Sequence, residues 1–139
     1  AAEEDVLRRY HRGFDAAALG NANINAVANT EKMLELRKIA TDIRVEDALF
    51  RYIASITNAT RTNRQVVLGA SPRASVALLQ VGKAIAAMRG RDFLIPDDIK
   101  TIAPPVLRHR LLLRPDAEIE GVTSDQVIDD LLDQLEVPR

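Results

Sequence analysis

Ser71, Pro72 and Arg73 stand in a row ahead of a long apolar helical pattern, in the stretch "LGASPRASVALLQ" at residues 68–80. A serine suits the N-cap of a helix and a proline its first position, so the pair fixes where the helix begins. Arg73 then falls in the first turn, where the macrodipole favours acids by a few tenths of a kcal/mol up to about 1 kcal/mol. An arginine goes against that preference. It is either a solvated or ion-paired surface residue, or it faces an anion that the helix end also attracts. A guanidinium holds phosphate with two parallel hydrogen bonds, and a helix start offers backbone amides beside it. The residues alone leave both readings open.

Other candidates for chemistry are weak. A phosphate-binding loop of the G-x-x-x-x-G-K-[ST] type exposes glycine-rich amides to phosphate. The one Gly-Lys pair here, Gly82-Lys83, has alanine at both 77 and 84 and lies inside a helical pattern. The two histidines, His11 and His109, are far apart and flanked by arginines, which argues against a metal site. Asp97-Asp98 falls in the first turn of a helix, where acids complement the dipole, so a structural role explains it. Ser71 as a nucleophile has no base partner in the sequence pattern, and its capping position accounts for it. No self-sufficient catalytic site emerges.

Helices must position Arg73, since apolar residues recur at helical spacing almost throughout. A first helix is expected over 2–19, with Val6, Leu7, Tyr10, Phe14 and Ala18 on one face and Gly13 as an interruption. "GNANINAVAN" reads as a connection. Thr30 is placed to cap a second helix, 31–40, with Met33, Leu34, Leu36 and Ile39 as its apolar positions. A third, 45–60, turns Val45, Leu49, Tyr52, Ile53 and Ile56 inward. Val66-Val67-Leu68 is too short for a helix and suits an extended piece.

The fourth helix, 72–89, carries Ala74, Ala77, Leu78, Val81, Ile85 and Met88 as its expected inward stripe, and Gly90 ends it. Gly82 within that stripe points to a close helix approach. A fifth helix starts at Pro96, and Pro104-Pro105 is expected to disrupt or redirect it. "VLRHRLLLRP" suits either a helical turn or an extended run. A loop at 115–122 leads to a last helix, 124–135, opened by a capping box of Thr123 with Gln126. The predicted fold class is all-α, a bundle of five to six helices with a short extended piece.

With 139 residues the chain is long enough for a core without staples, and it has no cysteine. That composition fits a reducing, cytoplasmic setting. No apolar run approaches the ~20 residues of a membrane span, and "AAEEDVLRRY" lacks the apolar middle of a signal peptide. The net charge of −1 is unevenly spread. Residues 1–114 hold 18 Lys and Arg against 12 Asp and Glu, whereas 115–139 hold one Arg against eight acids. The acidic end reads as a solvated helix face, or as a patch lying against a basic surface.

Beyond these patterns, "LGASPRASVALLQVGKAIAAMRGRDFLIPDDIKTIAPPVLRHRLLL", residues 68–113, resembles the C-terminal lid of MoxR-type AAA+ ATPases. "LRRYHRGFD" is similar to the segment that follows the ATPase core. "ELRKIATDIRVEDALFRYIASITNATR" resembles the next two lid helices, and "GVTSDQVIDDLLDQLEVP" the last helix. Ile95 departs from the pattern, standing where Thr or Ser usually caps. The resemblance implies one lid domain over 1–139: a leading helix at 1–20, a bundle at 30–113 and a C-terminal helix at 123–137. It implies that Arg73 is the sensor 2 arginine, reaching the terminal phosphate of ATP, with Ser71 and Pro72 supporting the helix start. It implies ATP with magnesium in the full-length protein and none in this part alone, which lacks the Walker motifs and is not an enzyme by itself. Expected partners are its own ATPase core, neighbouring subunits of a ring homo-oligomer, and proteins with von Willebrand factor A domains. A chaperone-like or remodelling role follows. The rival is a free-standing helical bundle binding protein or nucleic acid, supported by the basic residues of 1–114 and the cluster Arg108, Arg110, Arg114. The five aromatics at core-like spacing speak against nucleic acid.

Overall fold

Gly13 ends the first helix well before the apolar periodicity does. In the computed structural model, which describes residues 2–18 and 25–138, α1 is Ala2–His11. Gly13 adopts φ +87°, and the amides of Gly13 and Phe14 return to the carbonyls of Tyr10 and Arg9, each at 3.0 Å. That is a left-handed glycine cap, which only glycine adopts without steric cost. The helix expected over 2–19 therefore stops early; residues 19–24, with part of the expected connection, lie outside the described residues. Acids open α1 and Arg8, Arg9 and His11 close it, both matching the dipole.

The chain divides into two compact units, Ala1–Met33 and Leu34–Arg139. In the first, Tyr10 and Phe14 meet edge to face at 5.5 Å between ring centres. The helix α2 is Thr30–Asp42. Its cap is Asn29 and not Thr30: the Asn29 side-chain oxygen accepts from the Lys32 amide at 2.8 Å. The apolar positions of both helices, from Val6 to Ile39, are exposed.

The second unit comprises α3 (Asp47–Thr62), β1 (Val66–Leu68), α4 (Pro72–Met88), α5 (Pro96–Leu107), β2 (Leu112–Leu113), α6 (Pro115–Ile119) and α7 (Ser124–Gln134). One core joins Leu49, Tyr52, Ile53 and Ile56 of α3 to Leu78, Ile99, Leu107, Ile128 and Leu132. Leu49, Tyr52, Ile53 and Ile56 are inward as the spacing predicts, whereas Val45 precedes the helix and is half-buried, and Thr57 and Thr60 join the buried face. The extended piece pairs antiparallel with β2, Val66 facing Leu113. These two residues pack with Val127 and Leu131 in a smaller cluster. The capping box of α7 forms as expected, with the Gln126 amide donating to Thr123 Oγ1 at 3.3 Å and the Thr123 amide to Gln126 Oε1 at 2.8 Å.

Three further expectations are corrected. The inward stripe of α4 is Ala74, Leu78, Gly82 and Ala86, while Val81 is 40 % and Met88 82 % exposed. The small residues set the facing side because they let α5 come close, and residues 100° around the helix swing outward. Next, α5 continues through Pro104 and Pro105 to Leu107. A proline inside a helix costs about 3 kcal/mol, but burial of Ile102, Ala103, Val106 and Leu107 offsets it. After Leu107 a 3-10 turn at Arg108–Arg110 leads into β2, so "VLRHRLLLRP" is partly helical and partly extended. Last, the expected loop at 115–122 contains α6, opened by Pro115 at its first position. The described residues thus hold seven α-helices, one or two beyond the predicted number. No helix among them is long and apolar enough to cross a membrane.

Candidate functional site

Arg73 is exposed on the first turn of α4, next to Ser71 and Pro72, which are exposed as well. Ser71 holds the N-cap position with φ −78° and ψ 167°, and Pro72 follows at the first helical position. The Ser71 hydroxyl makes no capping hydrogen bond, in contrast to its expected role; instead its carbonyl accepts from the Ala74 amide at 2.8 Å. Among the described residues Arg73 has no ion pair and no hydrogen bond from its side chain.

The loop that delivers this helix start is fastened to the end of α3. Ala70 is fully buried. Its amide donates to Thr60 Oγ1 at 2.9 Å, and its carbonyl accepts from Arg61 Nε at 2.7 Å. Gly69 passes so close to α3 that a Cβ there would stand 2.7 Å from the backbone of Thr60 and Arg61. One turn into α4, the Ser75 hydroxyl lies 2.9 Å from that of Thr57. None of Thr57, Thr60 and Arg61 stands out in the sequence. The one available signal is the pair of threonines three apart, on the inward face of a helix otherwise lined by Leu, Tyr and Ile.

The far end of α4 is also fixed. Gly90 takes φ +70°, and the Gly90 and Arg91 amides return to the carbonyls of Ala87 and Ala86. This cap turns Arg89 and Arg91 toward Asp98, whose side chain is fully buried. Arg91 grips the carboxylate with two bonds of 2.6 and 2.9 Å, Arg89 adds one of 2.8 Å, and the Ile95 amide donates at 3.2 Å. Burial pushes the Asp98 carboxyl up, but the Arg91 bonds, the Ile95 amide and the two guanidinium charges together hold it below its ordinary value. By accepting from the Ile95 amide Asp98 supplies one half of a capping box, and Ile95, with no polar side chain, does not supply the other. A Cβ on Gly82 would stand 2.8 Å from Ile99 Cδ1, which is the close approach inferred for that glycine.

Other polar candidates are occupied. Lys83 donates to the Thr41 carbonyl, so the Gly-Lys pair serves packing. Arg108 pairs with Asp125 at 3.1 Å, Arg114 with Asp116 at 3.4 Å, and Arg110 Nε donates to the Val106 carbonyl. Their charges are therefore partly committed within the bundle. Among the described residues no three His, Cys, Asp or Glu side chains gather as a metal site. What α4 presents is a guanidinium without a partner among the described residues, at the positive end of a helix held at both ends. Such an arrangement suits a phosphate group.

Known proteins share this architecture. Residues 58–131 match the model of the AAA lid domain. The chain is 35 % identical over 115 residues to YeaC of Bacillus subtilis, covering 83 % of this chain and 36 % of that protein. It is 35 % identical over 122 residues to the chaperone MoxR1 of Mycobacterium tuberculosis, covering 81 % and 32 %. The chain thus spans about a third of the length of these curated relatives. The crystal structure of a candidate ATPase from Cytophaga hutchinsonii superposes with a TM-score of 0.77 at 29 % identity, over 99 % of this chain and 43 % of that one. The fold, the matched lid helices and these relatives together show that the chain belongs to the AAA lid domain family, as the lid of a MoxR-type AAA+ ATPase.

Proposed function

We propose that Arg73 is the sensor 2 arginine of this lid and binds the terminal phosphate of ATP held by the ATPase core. The observation that carries this reading is its exposed guanidinium, free of protein partners among the described residues, on a helix start tied to α3. A fork of two N–H donors matches two phosphate oxygens. Its value rises during transfer, when charge redistributes over the phosphoryl oxygens and preorganised donors need no rearrangement. Its neighbours in sequence, Ser71, Pro72, Ala74 and Ser75, bring no carboxylate beside the guanidinium.

On this reading residues 1–139 act as one lid module, with residues 1–20 leading in from the core. The full-length protein hydrolyses ATP in the cytoplasm as a ring homo-oligomer, and the lid meets its own core and a neighbouring subunit. A chaperone-like remodelling role is extended to it from MoxR1, which is named a chaperone. Proteins with von Willebrand factor A domains are the proposed partner class, resting on the family resemblance. The test is ATP hydrolysis by the full-length protein carrying Arg73→Ala. A loss of turnover with the lid still folded supports the reading, and full turnover refutes it.

A further inference from the structure

We propose that Thr60 and Arg61 are positioning residues for Arg73, gripping the backbone of Ala70 on both sides and thereby fixing where α4 begins. The inference rests on the reading of Arg73 as a phosphate-binding residue. Its own basis is the fastening of the 69–71 loop.

Ala70 is a loop residue with both backbone polar groups held by side chains. Two consecutive residues of α3 supply them: Thr60 accepts from its amide at 2.9 Å and Arg61 Nε donates to its carbonyl at 2.7 Å. Thr60 is itself fully buried, and its hydroxyl proton donates to the Thr57 carbonyl at 2.7 Å. That donation leaves an oxygen lone pair for the Ala70 amide, so the direction of the bond is set. Arg61 is set as well, because its Nη1 donates to Asn58 Oδ1 at 3.2 Å. Ala70 is fully buried, so its carbonyl depends on a protein donor. A tethered guanidinium also determines where that carbonyl sits.

The grip is transmitted to Arg73 over a short, stiff path. Ala70 is three residues before Arg73, and Pro72 between them has its φ locked by its ring. Gly69 leaves no slack against α3, and the contact between Thr57 and Ser75 ties the first turn of α4 to the same helix. A residue acting in a transition state is sensitive to displacements near 1 Å, which cost up to ~10²-fold in rate. Loosening either bond to Ala70 should therefore act on catalysis through Arg73.

The experiment is a double-mutant cycle on steady-state ATP hydrolysis by the full-length protein, with thermal melts of every variant. Thr60→Val keeps the shape and removes the acceptor. Thr60→Ser keeps the hydroxyl. Arg61→Gln removes the guanidinium at an exposed position where folding is least at risk. Thr60→Val and Arg61→Gln should each lower kcat about tenfold, and Thr60→Ser should stay within about twofold of the parent. In the Arg73→Ala background, Thr60→Val or Arg61→Gln should lower kcat by less than about twofold further, since the residue they position is gone. The proposal is overturned if their losses multiply with that of Arg73→Ala, or if Arg61→Gln retains full kcat. Full turnover by Arg73→Ala alone would be a distinct result, removing the underlying reading and this inference with it.

Discussion

Arg91 and Asp98 meet in a two-pronged contact, with Nη1 and Nη2 of Arg91 on a carboxylate that has no exposure to solvent. Gly90 makes the contact possible by reversing the chain after α4. The pair, with Arg89, locks the end of α4 onto the start of α5.

Asp98→Asn should therefore destabilise the lid by about 2–4 kcal/mol at neutral pH, since it strips the partner from two arginines. The pH dependence has a definite sign. The folded carboxyl ionises at a lower pH than the unfolded one, so its contribution is present above the ordinary aspartate range near 4 and is lost as pH falls through the folded value. Urea melts from pH 7 down to pH 3 should show this loss in the parent and a flatter profile in Asp98→Asn. Equal slopes in the two would mean that Asp98 is not the group responsible.

Leu78→Ala should cost about 2–5 kcal/mol, whereas Val81→Ala should stay near 0.5 kcal/mol. Leu78 is fully buried and Val81 is 40 % exposed. Thermal melts compare them directly, and similar losses at both positions would contradict the observed facing of α4.

Gly82→Ala should destabilise by about 1 kcal/mol, because the atoms it meets, Ile99 Cδ1 at 2.8 Å and Leu94 Cδ1 at 3.1 Å, are the far ends of side chains and not backbone. Gly69→Ala meets backbone, which does not yield, and should cost about 3 kcal/mol. A reversed order in chemical denaturation would show that the 69–71 loop moves away from α3 more easily than its bonds to Thr60 and Arg61 imply.

The isolated chain should bind ATP no more tightly than about millimolar, a free energy near 4 kcal/mol. Arg73 is exposed, and its bonds to phosphate compete with water, each worth about 1 kcal/mol. Calorimetric titration finding micromolar binding would require a second set of phosphate ligands within this chain.

Signals made by neighbours in sequence were legible. The Thr123–Gln126 box, Pro72 at a helix start and Gly90 at its end are local chemistry, and each is found where the residues placed it. The small stripe of α4 is half legible: Gly82 announces a close approach, but apolar spacing also places the exposed Val81 and Met88 inward. Periodicity alone does not say which side of a broad apolar arc faces the neighbour. Pro104 and Pro105 were read by local propensity, which burial of their flanking residues overrides. For the candidate site, Ser71, Pro72 and Arg73 were visible because they are contiguous. The grip on Ala70 was not, because its partners lie nine or ten residues away and act through the backbone of an alanine. Asp98 was explained by the dipole of its own helix, and nothing in its surroundings in sequence marks it as the partner of two arginines.

The central claim is most directly tested by the turnover number of the full-length protein with Arg73→Ala. If Arg73 contacts the terminal phosphate, kcat should fall roughly 10²-fold, as on losing one preorganised transition-state donor. Arg73→Lys should recover little, since a point charge does not reproduce the fork. Without nucleotide, stability should change by less than about 0.5 kcal/mol, because the side chain is exposed. Arg64→Ala, another exposed arginine, is the control; Arg89 and Arg91, at the other end of α4, are unsuitable because both hold Asp98. The account predicts a large loss of kcat in a lid that melts like the parent. Unchanged kcat, or a loss explained by unfolding of the nucleotide-free protein, would contradict it.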